Sequence, residues 1–355
     1  MEPQIWVLNS ASPWAVRRAA EEVEAMGFAG LAVTDSQNKS GDTVVALSLA
    51  ASVTERIGLT TAVTNPFTRH PASLSAAFGS LQIITGGRMV LGIGRGDSAL
   101  ALLGLSPASP DYFRRTLDCL RGYLSGGEVP FSDLPRAGMA DADELHLGDA
   151  PPTSHLEWLP RFPDVPRVPV DVYASGPKII RMAVAHADRI TLAVGADLDR
   201  LRWARDIALA EAERIGRTFA PGELGALVNI SVDESPEKAL AKAAGRLAVV
   251  MRFSAMHGKA VGPYEEADRA AVEKLVRAYN MKEHSAVDAS HATDIRPEFA
   301  AKFGVFGTAQ DCHRRLRELA EIGLGRIVLM APGPEVDPDF DSARALSREM
   351  NLSTV

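Results

Sequence analysis

Four short segments of the sequence combine polar side chains with glycine in patterns that can do chemistry. They are Ala32 to Gln37, Thr61 to Pro71, Gly92 to Ser98 and Ala174 to Lys178. Each follows directly on a short apolar or β-branched run, which places it at the end of a predicted strand. In a parallel barrel the carboxyl ends of the strands share one face, so the four segments are predicted to form one site.

The segment from Ala174 to Lys178 is suited to binding a phosphate group. It leads into a helical run, and the free N–H groups and positive dipole end of such a helix favour an anion. Gly176 allows close approach of the backbone, Ser175 supplies a hydroxyl group and Lys178 supplies a positive charge. The alternative is an ordinary helix cap beside a solvated lysine.

The segment from Gly92 to Ser98 resembles a dinucleotide-binding fingerprint only in part. That pattern requires a further glycine where this chain has Asp97, and it belongs to the first strand and helix of a fold. The segment therefore does not predict a Rossmann fold. A tight turn in which Asp97 or Ser98 caps the next helix remains the alternative.

Eight strand-like runs alternate with longer stretches of helical spacing along the chain. Alternation of this kind predicts parallel pairing, which a closed barrel and an open doubly wound sheet both satisfy. The motifs at the strand ends favour the barrel, so we predict an α/β fold, a (β/α)8 TIM barrel that spans residues 1–355 as a single domain. The predicted strands are Ile5 to Leu8, Gly30 to Val33, Gly58 to Val63, Arg88 to Ile93, Val170 to Ala174, Arg189 to Val194, Leu224 to Val232 and Arg326 to Met330.

The first predicted helices fall between these strands. They run from Pro13 to Met26, from Thr43 to Glu55 and from Pro71 to Thr85. The first and third open with proline, which suits the first turn of a helix because its missing N–H has no partner there anyway.

Two long stretches interrupt the alternation, Ser125 to Pro169 after strand four and Ala239 to Phe303 after strand seven. Insertions at these points lie over the face of a barrel where active sites form, so we predict that they cover the pocket. Solvated decoration is an equal alternative for the first, Pro-rich stretch. His257, His284 and His291 fall in the second stretch at no metal-ligand spacing, and we predict ordinary, partly exposed side chains.

The charge balance and the cysteines restrict the function classes. Lys and Arg total 38 against 45 Asp and Glu, a net charge of −7 without a strongly basic block, which disfavours nucleic acid as a partner. Cys119 and Cys312 are far apart and lack the spacing of a metal or redox site, which fits a reduced, cytoplasmic setting. No segment reaches the ~20 apolar residues of a membrane span, so no membrane partner is predicted.

Two of the motifs together resemble the luciferase-like monooxygenase superfamily. They are the run from Thr64 to Ala72 after strand three and the run from Leu91 to Leu100 after strand four. Within that superfamily the chain looks most like the methylenetetrahydromethanopterin reductase group, and the similarity continues through Phe306 to Asp311 and Ile322 to Val328. The pterin substrate is not implied, because the region that follows strand four differs from that group.

The resemblance implies a reduced flavin or deazaflavin bound at the carboxyl ends of the strands, and many relatives use coenzyme F420. A non-prolyl cis peptide near Ala62 and Val63 is expected to back the central ring. Asp35 and Gln37 are expected nearest the reacting edge, where a partly desolvated carboxylate can relay a proton. A helix cap or an ion pair with Arg69 is the alternative for Asp35. The implied cofactor-binding residues are Ala62, Val63, Thr64, Asn65, Gly94, Arg95, Gly96, Asp97, Ser98, Ala174, Ser175, Gly176, Pro177, Lys178, Val194, Gly195 and Ala196.

The same resemblance leaves two reactions open, and a protein class without enzymatic activity is a further alternative. A deazaflavin passes a hydride to or from a small organic substrate, whereas reduced FMN also activates oxygen and hydroxylates one. We predict F420-dependent hydride transfer, with an FMN-dependent monooxygenase as the alternative and a cofactor-less binding protein as the alternative of another class. A metal-dependent hydrolase is disfavoured, since only Asp35 and Asp97 stand at strand ends and no histidine pair joins them. The resemblance also implies a homodimer.

Overall fold

Eight parallel strands close into a barrel, as predicted. The computed structural model describes residues 2–10, 12–135, 152–255, 258–286, 288–292, 295–332 and 337–352. With all strands numbered in chain order, the barrel consists of β1 (Gln4–Asn9), β2 (Gly30–Val33), β3 (Gly58–Thr61), β4 (Met89–Ile93), β7 (Val170–Ala174), β8 (Arg189–Leu192), β9 (Leu224–Val232) and β11 (Arg326–Met330). Each pairs in parallel with the next in this order, and β11 pairs with β1 to close the ring.

Helices surround the barrel between the strands. The longer outer helices are α1 (Val16–Ala25), α3 (Thr43–Ala51), α4 (Pro71–Ile84), α6 (Pro110–Leu124), α7 (Pro177–His186), α8 (Leu198–Ile215), α12 (Ala309–Glu321) and α13 (Asp341–Glu349). Short helices α2 (Gln37–Ser40) and α5 (Ser98–Ala101) follow β2 and β4 directly. Pro71 opens α4 as predicted, whereas α1 begins at Val16, so the prediction that Pro13 opens the first helix was wrong.

The strand side chains alternate between two environments, as the pleat requires. Those that point outward, such as Val170, Val172 and Ala174 of β7, pack in the main core between the strands and the helices. The inward side chains fill the barrel, and Trp6 fills its lower part. A Cβ atom on Gly30 or Gly58 would come within 2.3 Å of the Trp6 ring, so glycine at the start of β2 and of β3 makes room for the indole.

A buried ion pair lies at the amino-terminal end of the barrel. Arg326 of β11 donates to Asp171 of β7 over 2.8 Å, and both side chains are at most 3% exposed. The Thr191 hydroxyl of β8 donates to the same carboxylate and accepts a 2.8 Å hydrogen bond from Arg326. The ion pair thereby joins β11 to β7 and β8 across the barrel interior, since β9 lies between β11 and β8 in the sheet, at the end away from the predicted site.

The two insertions follow β4 and β9, as predicted. The first contains an antiparallel pair, β5 (Val129–Pro130) with β6 (Thr153–Ser154). The second contains α9 (Pro236–Phe253), α10 (Glu266–Ala278), α11 (Pro297–Ala300) and β10 (Gly304–Gly307). Its helices share a separate apolar cluster built on residues such as Leu247, Val272 and Phe303.

Strand β10 was not predicted from the sequence. It pairs in parallel with the carboxyl-terminal half of β9, from Asn229 to Val232, while β8 pairs with the first half of the same edge. The second insertion is thus attached to the barrel by a strand as well as by helices. Among the described residues, no helix is both long and apolar enough to cross a membrane. The single-domain interpretation stays a prediction.

Candidate active site

A cavity of about 1160 Å³ opens at the carboxyl ends of the barrel strands. Its floor is made by inward-facing apolar or aromatic side chains of six strands or strand ends, namely Leu8, Ala62, Tyr173, Ala193, Leu227 and Met330. Its walls are the polar segments that follow the strands and, opposite them, the second insertion. The volume exceeds the range of a typical small-molecule pocket, so a ring-sized cofactor and a substrate fit together.

Asp35 follows β2, lines the cavity and is buried. Burial raises the pKa of its carboxyl group, against the opposing influence of the Thr64 hydroxyl and of Arg69. Neither alternative role predicted for Asp35 occurs, because Arg69 forms its ion pair with Asp42 and the residue before α2 is Ser36. Oxygen Oδ2 of Asp35 has no hydrogen-bond partner among the described residues. The carboxyl group is therefore a desolvated group that faces a cavity.

Gln37 lies behind this wall and is not among the lining residues. Its amide nitrogen donates to the carbonyl oxygen of Ala99 over 3.2 Å, which ties the end of β2 to the end of β4. A 3.5 Å contact between the hydroxyl groups of Ser36 and Ser98 joins the same two segments. Gln37 thus stands next to the cavity as a support, and contact with a reacting group stays a prediction.

The segment after β3 contains the predicted cis peptide, between Ala62 and Val63. Both residues line the cavity, and so does Asn65. The Asn65 side chain accepts hydrogen bonds from the backbone N–H groups of Phe67 and Thr68, so it also shapes the turn. Thr64 is fully buried, and its backbone N–H and carbonyl bond to Gly92 and Gly94.

All five predicted residues after β4, Gly94 to Ser98, line the cavity. Gly96 has a φ of +90°, a conformation that favours glycine, and a Cβ there would come within 2.3 Å of the Leu100 side chain. Neither Asp97 nor Ser98 makes a capping hydrogen bond to α5. One oxygen of Asp97 pairs with Arg252 of α9, and Oδ2 has no hydrogen-bond partner in the described part of the chain.

The segment after β7 leads directly into a helix, as predicted, and its role at a phosphate stays a prediction. Gly176 is the residue before α7, which begins at Pro177. A Cβ atom built on Gly176 meets no described atom within 4 Å, so open space adjoins the amino end of the helix. Ser175 lines the cavity and donates to the carbonyl oxygen of Phe253, whereas Lys178 is exposed. Ala174 is buried at the end of β7, below this rim.

Val194, Gly195 and Ala196 after β8 are not among the lining residues. The backbone N–H of Ala196 donates to the carbonyl oxygen of Lys302, and a Cβ on Gly195 would lie 2.9 Å from that same oxygen. The second insertion therefore packs directly onto this turn. The predicted role of the three residues at a cofactor phosphate stays a prediction.

The second insertion contributes residues to the cavity that the sequence analysis did not assign. Helix α9 presents Arg246, Val249 and Phe253, which are spaced to lie on one helix face. The loop after α10 presents His284, Ser285, Ala286 and Asp288. His284 is buried and lines the cavity, so the prediction of an ordinary, partly exposed side chain was wrong for it. His291 is buried outside the lining, and His257 lies outside the described residues.

Two polar contacts hold this insertion over the rim. Arg252 pairs with Asp97, and the centre of its guanidinium group lies 4.9 Å from the centre of the Tyr279 ring. The Lys39 ammonium group of α2 donates to the carbonyl oxygen of His284 over 2.6 Å. The insertion is thus positioned by the segments that follow β2 and β4.

The residues present fit a flavin-type cofactor. Four buried polar atoms of lining residues lack hydrogen-bond partners among the described residues, namely Ser12 Oγ, Asp35 Oδ2, Asp97 Oδ2 and the Tyr173 hydroxyl oxygen. Buried polar atoms are nearly always paired, so these four point to a bound group that supplies partners. The open space at Gly176 leaves room for a further group at the amino end of α7. The described residues contain no cluster of side chains suited to a metal ion.

The cavity lies at the carboxyl-terminal face of a parallel (β/α)8 barrel, which is where the active sites of barrel enzymes lie. The chain belongs to the luciferase-like monooxygenase family, whose model matches residues 2–326. It is an oxidoreductase of that family.

Individual relatives agree with this assignment. The 5,10-methylenetetrahydromethanopterin reductase of Methanolobus tindarius is 30% identical, over 89% of this chain and 90% of that one. A solved F420-dependent secondary alcohol dehydrogenase, bound to an F420-acetone adduct, superposes with a TM-score of 0.71 at 20% identity, with 99% of each chain covered. An FMN-bound type II Baeyer-Villiger monooxygenase from Pseudomonas putida superposes with a TM-score of 0.62 at 18% identity, with 98% of each chain covered.

Proposed function

We propose that this protein uses coenzyme F420 to transfer a hydride to or from the carbon of a carbonyl or imine group in a small organic substrate. The buried Asp35 carboxyl group, which faces the cavity beside the Ala62–Val63 peptide, is the observation that carries the proposal. The relative from Methanolobus tindarius supports it, because its name describes the reduction of a pterin substrate.

The cofactor ring is assigned to the wall made by Ala62, Val63 and Asn65, with Gly94 to Ser98 beside it. Ser175 and Gly176 are assigned to the phosphate, since the N–H groups at the start of α7 favour an anion there. Thr64, Ala174, Pro177 and Lys178 support these two contact regions, and Val194 to Ala196 complete the predicted phosphate end. Bound in this way, a reduced deazaflavin supplies the hydride.

Asp35 holds the proton that such a reaction needs. A carboxyl group with a raised pKa is protonated over a wider pH range, so it can give a proton to a substrate oxygen or nitrogen and regain one from water. In the reverse direction the same carboxylate accepts the proton. Gln37 is proposed to hold the end of β2 in place through its bond to Ala99.

A flavin-dependent monooxygenase is the second candidate, and one observation favours it. The FMN-bound monooxygenase from Pseudomonas putida has the same fold over nearly the whole chain. In that case reduced FMN occupies the same wall, and oxygen and the organic substrate share the remaining cavity.

We also propose a homodimer in a reducing, cytoplasmic setting. Cys119 and Cys312 are both buried and unpaired, which is compatible with a reducing compartment. The dimer is proposed on family resemblance, through helices near the amino terminus. Light scattering during size-exclusion chromatography measures it, and a mass of one chain at micromolar concentration contradicts it.

The decisive experiment is an anaerobic titration of the purified protein with reduced F420 and with reduced FMN, repeated on Asp97→Ala and Gly176→Val. We expect tight F420 binding that weakens at least tenfold in each variant, about 1.4 kcal/mol. Binding of reduced FMN alone favours the monooxygenase, and binding of neither cofactor contradicts both candidates.

Turnover is then measured with acetone, cyclohexanone, benzaldehyde and methylenetetrahydromethanopterin as acceptors. The oxidation of reduced F420 is followed by the return of its visible absorbance. Oxidation that depends on one of these acceptors supports hydride transfer. If F420 binds and none of the four acceptors is reduced, hydride transfer to a carbonyl or imine carbon is contradicted.

A further inference from the structure

His284 is the imidazole that the second insertion brings into the cavity. It is held from two sides, because Lys39 donates to its backbone carbonyl and the Tyr279 hydroxyl lies 2.8 Å from its Nδ1 atom. No described residue hydrogen-bonds to its Nε2 atom. Since His284 lines the cavity and its Nδ1 atom is occupied, Nε2 is the polar atom that this side chain offers to a ligand.

Tyr279 is the hydrogen-bond partner of the Nδ1 atom of His284. Burial raises the pKa of Tyr279 to about 12, so its phenol keeps its proton throughout the physiological range. A protonated phenol can donate its O–H to His284 Nδ1. When it does, Nδ1 is the unprotonated nitrogen and Nε2 carries the hydrogen.

The surroundings of His284 keep its imidazole neutral. Burial and the nearby positive charges of Lys39 on α2 and Arg252 on α9 lower its pKa to about 3, and His291 acts in the same direction. Glu283, the acidic residue next to His284 in the chain, accepts hydrogen bonds from Ser290 instead. An imidazole in this environment donates a hydrogen bond from Nε2 without changing its charge.

The position of His284 relative to the reacting groups follows from a chain of direct contacts. Asp97 pairs with Arg252, Arg252 stacks on Tyr279, and Tyr279 bonds to His284. Lys39 ties the same residue to the segment that begins with Asp35. His284 is thereby anchored to the ends of β2 and β4, where the proposed function puts the cofactor ring and the proton donor.

We propose that His284 is a catalytic residue whose Nε2–H donates a hydrogen bond to the substrate oxygen or nitrogen on which negative charge develops. This inference rests on the proposed function. The hydride and its electron pair form the new C–H bond, and the π pair of the C=O or C=N bond moves to the oxygen or nitrogen. That atom takes a proton from the Asp35 carboxyl group, which regains one from water, while His284 keeps its own proton.

The first test reads the tautomer directly in the cofactor-free protein. Nitrogen-15 NMR of the histidine-labelled chain, with His284→Asn to assign the signal, should show Nε2 protonated and Nδ1 unprotonated from about pH 5 to about pH 8. In Tyr279→Phe the fixed tautomer should give way to a mixture. A His284 imidazolium at about pH 6, or a proton on Nδ1, overturns the proposal.

The second test separates the two ring nitrogens by substitution. Asparagine at position 284 reaches the position of Nδ1 and lacks a donor at Nε2, whereas glutamine places an N–H near Nε2. Removal of one preorganised donor to a developing anion lowers kcat by about 10²–10³-fold, and we expect this for His284→Asn and less than about tenfold for His284→Gln. His313→Asn is the matched control, because His313 lies on α12 and is not among the residues that line the cavity, so its kcat should stay within about threefold.

Binding and pH measurements distinguish failure of this inference from failure of the proposed function. The kinetic arm uses the acceptor that reoxidises reduced F420 fastest, and all three variants should bind F420 as the unsubstituted protein does. Because the imidazole does not titrate in the working range, His284→Asn should lower kcat without removing a limb of the pH profile. Unchanged turnover in His284→Asn with F420 bound overturns the role of His284 alone; loss of F420 binding in the unsubstituted protein overturns both.

Discussion

The carboxyl group of Asp35 has a stability effect opposite in sign to that of most aspartates. Its pKa is raised in the folded protein, mainly by burial, so folding disfavours its charged form. The resulting loss of stability is complete above the folded-state pKa and disappears as the pH falls below the unfolded value of about 3.9. If Asp35 is the proton donor, as proposed, the protein gives up some stability for activity at this position.

Asp35→Asn should therefore stabilise the protein and inactivate it. At neutral pH we expect the free energy of unfolding to rise by on the order of 1 kcal/mol, because the substitution removes a charge that burial disfavours. The gain should shrink towards zero as the pH approaches 4. Urea unfolding at several pH values measures this, and turnover should fall by about 10²-fold or more.

Asp42→Asn is the matched control for that prediction. Asp42 accepts hydrogen bonds from the N–H groups of Val44 and Val45 at the start of α3, and it pairs with Arg69. The same substitution keeps the helix cap but removes the ion pair, so it should here lower the free energy of unfolding by about 0.2–1 kcal/mol. If Asp35→Asn and Asp42→Asn shift stability in the same direction, the proposed environment of Asp35 is wrong.

Two glycines of the rim should respond differently to substitution. Gly176 has an ordinary extended backbone and open space around it, so Gly176→Ala should leave the free energy of unfolding within about 0.5 kcal/mol and weaken F420 binding. Gly96→Ala meets a φ of +90° and the Leu100 side chain and should destabilise by about 1–3 kcal/mol. Thermal unfolding and the anaerobic titration, run on both variants, check this. A Gly176→Ala protein that binds F420 normally contradicts the phosphate assignment.

At the residue scale, sequence reasoning found the cavity residues that follow β2, β3, β4 and β7, and it missed Ser12 after β1 and the residues of the second insertion. Asp35, Asn65 and Asp97 come directly after strands, so a barrel sets their position. Arg252 and His284 reach the cavity through the packing of a long insertion, which no local pattern encodes. Only the helical spacing of Arg246, Val249 and Phe253 offered a sequence signal.

At the element scale, the Asp97–Arg252 pair joins α9 to the turn after β4. Both side chains are largely buried, so removal of one partner leaves the other charge without compensation. Asp97→Asn and Arg252→Gln should each destabilise the protein by about 1–3 kcal/mol, and the double variant should lose less than the sum. Hydrogen exchange should show the loss concentrated in α9 and in the loop that contains His284. Additive losses spread evenly over the barrel would contradict the link.

The eight barrel strands were predictable because each is an apolar run beside a turn signal. Strand β10, with the sequence Gly-Val-Phe-Gly, is too short for its period to be read, and it exists only because the carboxyl-terminal half of β9 extends beyond β8 and offers a free edge. The start of helix α1 was also not predictable from a local signal, because Pro13 predicted an earlier start than Val16, where the helix begins.

At the scale of the whole molecule, the barrel separates the residues that hold it together from those that face the ligand. Arg326, Asp171 and Thr191 bond to one another at the amino-terminal end, below the apolar floor of the cavity. We therefore expect that substitutions in the ion pair change mainly the stability, and that substitutions in the cavity lining change mainly ligand binding.

Arg326→Met tests that separation. It leaves the Asp171 carboxylate buried with only the Thr191 hydroxyl as a partner, so we expect a loss of about 3–5 kcal/mol in the free energy of unfolding, measured by urea denaturation. The double variant Arg326→Met with Asp171→Leu removes both charges and should recover at least half of that loss. Because neither residue lines the cavity, F420 affinity of the folded double variant should remain within about threefold of the original. A double variant that is stable and yet no longer binds F420 would show that the ion pair shapes the cavity through the barrel floor, most directly through Tyr173, which lines the cavity and interacts electrostatically with Asp171 and Arg326.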